Sequence, residues 1–578
     1  MDGGRPARRT LDKLGRAMTI ENPRAGRQAL IGLLAGLCWN LAAPQSPAQP
    51  PNPIDITVPP SETSAAAPEK PEGPQPFWAK VPDLRPYPRP GLFLLPPTGA
   101  GYYYGADALF GVQKDKAPFY PYNMEFYDND FRYLDKTDGQ PYDFFDDFKR
   151  IHLGSLFGSG NDDWLLSIGG EERLQFKNEV DSRLGAIDNN YQLLRSRVYT
   201  DLWYRDLFRV YVEYIDAESY NQNLPPLAID VNHSDLLNAF ADIKLAEIDD
   251  HPVYARLGRQ ELLYGSQRMI SPLDWANTRR TFDGGKVFWH SDNLDADAFW
   301  VRPVVVDPTH FDAPDQSRQF AGFWTTYRPA KGQAIDAYYL YLDSDTAVAP
   351  TAGRVTGGRL GYEVNTVGSR YSGDHKVEGD CGSSPGSLLW DFEGAYQFGE
   401  YTNRTLSAGM ATGGLGWSFA SLPMQPQFWA YYDYASGTRD LSGTGDFDTF
   451  NQLFPFGHYY FGYLDEVGRE NIHDLNFQAA VYPTKWITGL AQYHIFRLDQ
   501  AGDALYGTPP GYPIMRRSVT GAAGTDVGDE LDLLLSFQLD RHSNVLVGYS
   551  KMYEGDFIRE TGPSVSPELF YVQYQFRW

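Results

Sequence analysis

From Trp164 to Trp578 the chain alternates apolar and polar residues in runs of about ten, separated by turn-forming clusters. In "LLRSRVYTDLWY", Leu194, Val198, Leu202 and Tyr204 share one side, while Arg195, Arg197, Tyr199 and Asp201 share the other. In "FRVYVEY", Phe208, Val210, Val212 and Tyr214 oppose Arg209, Tyr211 and Glu213. "LNAFADIKL" sets Leu237, Ala239, Ala241, Ile243 and Leu245 against Asn238, Phe240, Asp242 and Lys244. The run "FYVQYQFRW" puts Phe570, Val572, Tyr574, Phe576 and Trp578 on one parity and Tyr571, Gln573, Gln575 and Arg577 on the other. Further runs of the same kind include "AIDAYYLYLD", "LLWDFEGAYQF", "QFWAYYDYAS", "WITGLAQYHIFRL", "ELDLLLSFQLD" and "NVLVGYSKMY", and no long helical periodicity intervenes. A two-residue period predicts strands with one apolar and one polar face, so the fold class is all-β.

Alternation alone fits a soluble sandwich or propeller as well as a membrane barrel. Other features separate them. Ala29 to Ala43 is apolar, preceded by Arg24 and Arg27 and followed by Pro44, which is too short for a spanning helix and reads as a secretory signal peptide over 1–48, with translation starting at Met1 or Met18. Leu37 stands before Cys38 where a lipidation signal needs a small residue. Cys38 would leave with the signal, so Cys381 alone remains and no intramolecular disulfide is available. The terminal aromatic strand is the form in which bacterial outer-membrane barrels are handed to the barrel-assembly machinery. Phe570, Val572, Tyr574, Phe576 and Trp578 are therefore the expected membrane-insertion signal, facing outer-membrane lipid. At roughly 23 residues per strand with its connection, 164–578 holds about 18 antiparallel strands, wide enough for a water-filled lumen.

Ahead of the barrel, 49–98 is so dense in proline ("APQSPAQPPNP" leads into it, "PYPRPGLFLLPP" closes it) that it reads as an extended linker. Residues 99–163 are rich in Tyr, Phe and Asp without sustained alternation, and are expected to be an irregular periplasmic segment. Asp128, Asp130 and Asp138-Gly139 partly match a calcium loop, but Arg132 stands where a ligand belongs, so an ordinary acidic turn is expected.

Composition and charge narrow the function. The protein carries a net charge of -24 with no Lys/Arg-dense run, which excludes nucleic acid as a partner. Aromatics make up 15% of residues, with 39 Tyr, 34 Phe and 13 Trp, in keeping with strands and with interfacial girdles. There is no His-Glu-x-x-His, Gly-x-Ser-x-Gly or P-loop, so no enzyme activity, metal or cofactor is expected.

Charge concentrates in "YARLGRQELLYGSQRMISPLDWANTRRTFDGGKVFW", where Arg256, Arg259, Arg268, Arg279 and Arg280 are interleaved with Glu261, Asp274 and Asp283. Arg259 breaks parity with Arg256, which predicts a bulge or a strand end. In this stretch, at Arg256-Leu-Gly-Arg-Gln-Glu261, Tyr264-Gly265, Arg268, Trp275, Asn277 and Arg279-Arg-Thr-Phe-Asp-Gly284, and again in "FDTFNQLFPFGHYYFGYLDEVGRENIHDL", the chain resembles the alginate export outer-membrane channels. The resemblance covers essentially all of 164–578. It implies an 18-stranded barrel with an arginine-lined pore that passes an acidic polysaccharide, working beside a periplasmic export scaffold. The expected pore-lining set is then Arg195, Arg197, Arg209, Arg256, Arg259, Arg268, Arg279 and Arg280 with Glu261, Asp274 and Asp283. His458 and His473 are expected to stabilise a loop. A general porin or an oligosaccharide uptake channel is the alternative, since a passive barrel does not encode direction.

Overall fold

The computed structural model describes residues 122–135, 143–156, 163–345, 361–377, 385–419, 421–440, 443–484, 486–511 and 513–578. The expected signal peptide, the proline-rich linker and both cysteines lie outside those residues.

Eighteen long strands form one closed antiparallel barrel: β1 (Trp164–Val180), β2 (Asn189–Tyr204), β3 (Phe208–Tyr220), β4 (Asn232–Ile248), β5 (His251–Gln260), β6 (Phe282–His290), β7 (Leu294–Val305), β8 (Arg318–Tyr327), β9 (Gln333–Ser344), β10 (Tyr362–Val377), β11 (Gly386–Tyr401), β12 (Arg404–Ser418), β13 (Gln427–Ala435), β14 (Ile472–Thr484), β15 (Ile487–Leu498), β16 (Asp526–Gln538), β17 (Ser543–Glu554) and β18 (Glu568–Arg577). Each strand pairs with its successor, and β18 returns to β1, from Glu171 opposite Arg577 to Val180 opposite Glu568. Closure leaves no long open edge, the condition for a sheet to sit in hydrocarbon.

The alternation resolves into an inside and an outside. On β2, Tyr191, Leu193, Arg195, Arg197 and Tyr199 are buried, and Val198 and Thr200 between and beyond them are exposed. The polar parity therefore faces inward. Outside stand Leu174, Val198, Leu257, Trp300, Phe392 and Leu415, which are 40–58% exposed. An apolar exterior around a charged interior inverts the soluble arrangement and is stable only against lipid. The run at 237–245 departs from its expected pattern at one point: Leu237 is 3% exposed, because the β3–β4 register slips between Glu213 and Tyr214 and a bulge inserts a residue there.

Connections differ between the two ends. One end has tight turns, such as Asp249-Asp250, both at positive φ (50° and 62°), as a two-residue type I′ hairpin requires. The other end carries long connections, among them 261–281 and 436–471.

The seam between β1 and β18 is incomplete at the short-turn end. β1 is 17 residues long, yet β18 covers it only from Glu171 onward. Gly170 and Trp578 exchange backbone hydrogen bonds of 2.8 and 3.0 Å, and Ile151–His152 pairs antiparallel with Leu165–Leu166 further down the same edge. Between them the Lys149 ammonium donates to the Ile168 carbonyl and sits 5.3–5.6 Å from the rings of Phe131, Tyr199 and Trp578. Burial lowers its pKa to about 7. Phe145 adds ring contacts to Phe576 (5.6 Å) and Trp578 (5.9 Å). Residues 143–156 thus cover backbone that β18 leaves unpaired. A chain lacking Trp578 loses both Gly170 bonds and the ring that Phe145 and Lys149 pack on, so the yield of heat-modifiable folded barrel on gels should fall sharply; an undiminished yield would contradict this account of the seam.

Candidate functional site

Three stretches outside the barrel strands occupy the lumen. Residues 261–281 fold inward from the long-loop end and are held by 447–471, which enters beside them. Ser271 N donates to the Phe454 carbonyl (2.9 Å), Phe454 N to Met269 O (2.9 Å) and Phe456 N to Gln267 O (2.9 Å), a short parallel interlock of two loops. Met269, Ile270, Leu453 and Phe454 are buried in the same apolar cluster as the wall residues Phe282 and Phe320. Trp275 stacks on His458 at 3.9 Å between centroids, and both donate to Asp465, at 3.0 and 2.9 Å. Gly462 stands at φ 89°, and a Cβ there would lie 2.3 Å from the Glu530 carboxyl carbon, so only glycine brings this loop so close to the wall.

The third stretch, 122–135, enters from the short-turn end. Tyr122 touches His542 in the last short turn (3.2 Å), while the Tyr127 hydroxyl reaches the Glu261 carbonyl (3.3 Å) at the far end of β5. Phe126 and Tyr127 pack with Tyr199, Tyr211 and Phe240 of the wall.

Where these stretches meet, arginine and carboxylate alternate. The Arg195 guanidinium bonds Glu171 (2.6 Å) and Asp274 (2.9 Å). Arg197 bonds Glu213 (2.6 Å) and lies 3.6 Å from Glu171, which also accepts from Arg577 (3.0 Å). Arg256 grips Asp242 with two hydrogen bonds of 2.7 and 2.9 Å; Arg209 bonds Asp201 (2.7 Å) and approaches Asp242 (3.5 Å). Arg279, from the loop, bonds Glu261 and Asp274 and stands 3.6 Å from Glu125 of the entering segment. Burial opposes ionisation of Asp274, but Arg279, Arg195 and Arg173 outweigh it and hold its pKa well below the usual carboxylate range. Arg173 itself donates to the Asp274, Trp275 and Ala276 carbonyls, fastening the loop to β1. These guanidiniums are buried almost completely. A buried charge without a partner is expensive, so the pairing is a condition of the loops lying where they do.

The residues singled out from sequence fall into three groups. Arg195, Arg197, Arg209, Arg256, Arg279, Glu261 and Asp274 come together in this network. Arg268 is inward but elsewhere, bonding Asp391 (2.7 Å) and Glu393 (3.0 Å) on β11, and Arg280 donates to the carbonyls of Ser271 and Pro455, its pKa lowered to about 9 by burial. Arg259 and Asp283 do not join the lumen row. They are cross-strand partners on the outward parity (2.8 Å), and Arg259 also donates to Leu236 O and Asp312 O, tying β5 to the connection after β7. Register at Arg259 is continuous, so no bulge lies there; Arg259 is the penultimate residue of β5 and belongs to the opposite face from Arg256. Sequence reading missed Glu171, Arg173 and Asp391, which stand on inward parities, and Arg469, which bonds Asp433 (2.5 Å) from within the second motif. It also missed Glu125.

The family model for alginate export matches residues 164–572, nearly the whole barrel. The chain belongs to the alginate export family. It is an outer-membrane barrel of the channel type, and its short-turn end, by the asymmetry of such barrels, faces the periplasm. A search of curated proteins finds no match. Among solved structures, Pseudomonas aeruginosa OccD3 (OpdP) is similar at 12% identity and a TM-score of 0.47, over 71% of this chain and 91% of that one. The outer-membrane protein OpdK of the same organism gives 11% and 0.49, over 71% and 99%.

Two expectations follow from the geometry. Glu171 is shared by Arg195, Arg197 and Arg577, so Glu171→Ala strands buried cations and should cost about 3–5 kcal/mol, read as a lowered denaturant midpoint. Arg259→Ala strands no buried cation and leaves its partner Asp283 with access to water, so it should cost less than Glu171→Ala, and equal effects would contradict the distinction. Glu466, in the inserted loop, has its pKa raised to about 8, chiefly by burial. The folded loop keeps this proton while a free glutamate loses it near pH 4.5, so loop docking weakens as pH rises from about 4.5 to 8. Proteolysis within 436–471 should accelerate over that range, and Glu466→Gln should flatten the profile; a flat profile in the unaltered protein would refute it.

Proposed function

We propose that this barrel exports an anionic exopolysaccharide, an alginate-like polyuronate, with the arginine network as the selective passage. The observation that carries the reading is that Arg195, Arg197, Arg209 and Arg256 on inward strand faces and Arg279 on an inserted loop are each engaged by a carboxylate of the wall or of a loop. A uronate polymer presents one carboxylate per sugar. The planar guanidinium fork binds that group with two hydrogen bonds and gives up water more readily than an ammonium.

Because each arginine is already paired, the polymer does not fill empty sites. It exchanges with Glu171, Glu213, Asp242, Glu261 or Asp274, and each advance lets a resident carboxylate return. Neither side is left buried and unpaired, which keeps binding favourable but escapable, as conduction requires. The overall charge of -24 is compatible with this, since the field at a narrow passage is set by the nearest groups. The partners of this function are the acidic polysaccharide, outer-membrane lipid, the barrel-assembly machinery that receives the terminal strand, and a periplasmic export scaffold; it needs no cofactor.

Block of single-channel current by soluble polyuronate tests the reading. Arg279→Gln should weaken that block by at least tenfold, about the worth of one charge-assisted hydrogen bond, while Arg259→Gln leaves it unchanged. If neutral oligosaccharides block as well as polyuronates, and Arg279→Gln has no effect, the barrel is a general porin or an oligosaccharide uptake channel instead.

A further inference from the structure

The segment 122–135 enters among these arginines from the periplasmic side, and its chemistry copies what the passage is proposed to bind. Glu125 is 1% exposed, with its carboxylate 3.6 Å from the Arg279 guanidinium. The next two residues place their rings on neighbouring guanidiniums: Phe126 lies 4.0 Å from Arg197, and Tyr127 lies 4.8 Å from Arg256. The Tyr127 carbonyl accepts from Arg209 (2.7 Å). One carboxylate followed by two flat faces on a cationic wall is the pattern a uronate chain offers, a carboxylate on a ring whose faces can stack.

The manner of attachment differs from that of 143–156. Of those residues, Ile151–His152 pair with β1 as a strand, whereas 122–135 joins no strand ladder among the described residues, and its backbone hydrogen bonds include Asp128 N to Glu125 O, Asn129 N to Phe126 O and Leu134 N to Phe131 O. It meets the wall through side chains and the Tyr127 carbonyl. The first is built as a fixture; the second can leave without breaking the barrel's ladder.

We propose that 122–135 is a displaceable plug that acts as an internal pseudo-substrate: Glu125, Phe126 and Tyr127 hold the arginine passage closed from the periplasmic side until polymer carboxylates take over Arg279, Arg197 and Arg256. This deepens the export reading and rests on it for the identity of the displacing ligand, but not for the closure itself. Closure also explains how so wide a barrel could stand in the membrane without leaking small solutes between rounds of transport.

The experiment uses the full chain with Cys381→Ala, Tyr127→Cys and Phe240→Cys, positions whose native rings are 5.5 Å apart. The thiols are joined with dibromobimane and the product is confirmed by mass spectrometry. Potassium chloride conductance is read in planar bilayers before and after joining, so polymer specificity does not enter. Soluble polyuronate added to the periplasmic side before joining should protect the thiols, and joined channels should conduct severalfold less than unjoined ones. Glu125→Gln in the unaltered background should raise open probability severalfold. Failure of the two thiols to join, or equal conductance in joined and unjoined channels, would overturn the plug. Protection by neutral dextran as effective as by polyuronate would overturn the pseudo-substrate role, while a loss of arginine-dependent polymer block alone would leave the plug standing and strike only the export reading.

Discussion

Pairing of arginine with carboxylate inside a closed barrel is the constraint on which this structure depends. Eighteen strands enclose more space than wall side chains can fill, so the lumen must be wet or be filled by the protein itself. This chain fills the space around its inward arginines with its own segments, and that removes water from charges which the two-residue pattern has already turned inward. Each then needs a partner. The register supplies many of them: Arg209, Asp242, Arg256 and Lys286 stand opposite one another on four successive strands, and Arg577, Glu171 and Arg197 do so across the seam. The inserted loops supply the rest through Glu261, Asp274 and Arg279.

The same pairs therefore do two tasks. They fix the loops, since Arg173 and Arg195 grip the 274–276 backbone and Arg268 and Arg469 pin the opposite sides of the loop pair to β11 and β13. They also form the chemistry that a polyanion would meet. A buried pair contributes little net stability when intact but is costly to break on one side only. That asymmetry suits a passage in which one carboxylate replaces another while the cation is never abandoned.

Much of this architecture was legible in the chain. Strand faces follow from parity alone: Arg195 and Arg197 fall opposite Val198, and about 18 strands follow from length at roughly 23 residues each. What parity cannot supply is register. Nothing local in the sequence ties Glu171 to Arg195, 24 residues on, or to Arg577, because that pairing exists only once strands align and the barrel closes. Arg259 shows what parity can supply. Its broken parity reads as a bulge or a strand end; the continuous register excludes the bulge, and Arg259 is the penultimate residue of β5, on the other face. Residues 122–135 carry no periodicity, so their aromatics and acids gave no sign that they would enter the lumen. Glu125 has meaning only beside Arg279, a residue from a loop more than a hundred positions away.

The most direct test of the account is the reversal potential of the unaltered channel under a potassium chloride gradient. If paired guanidiniums govern the passage, the pore prefers chloride despite the protein's charge of -24. The preference should shrink as the Debye length falls from about 10 Å at 0.1 M salt to about 3 Å at 1 M. Cation selectivity that Arg197→Gln and Arg279→Gln leave unchanged would contradict it: the arginines would then be struts that hold the wall and loops, and the polyanion passage would lose its physical basis.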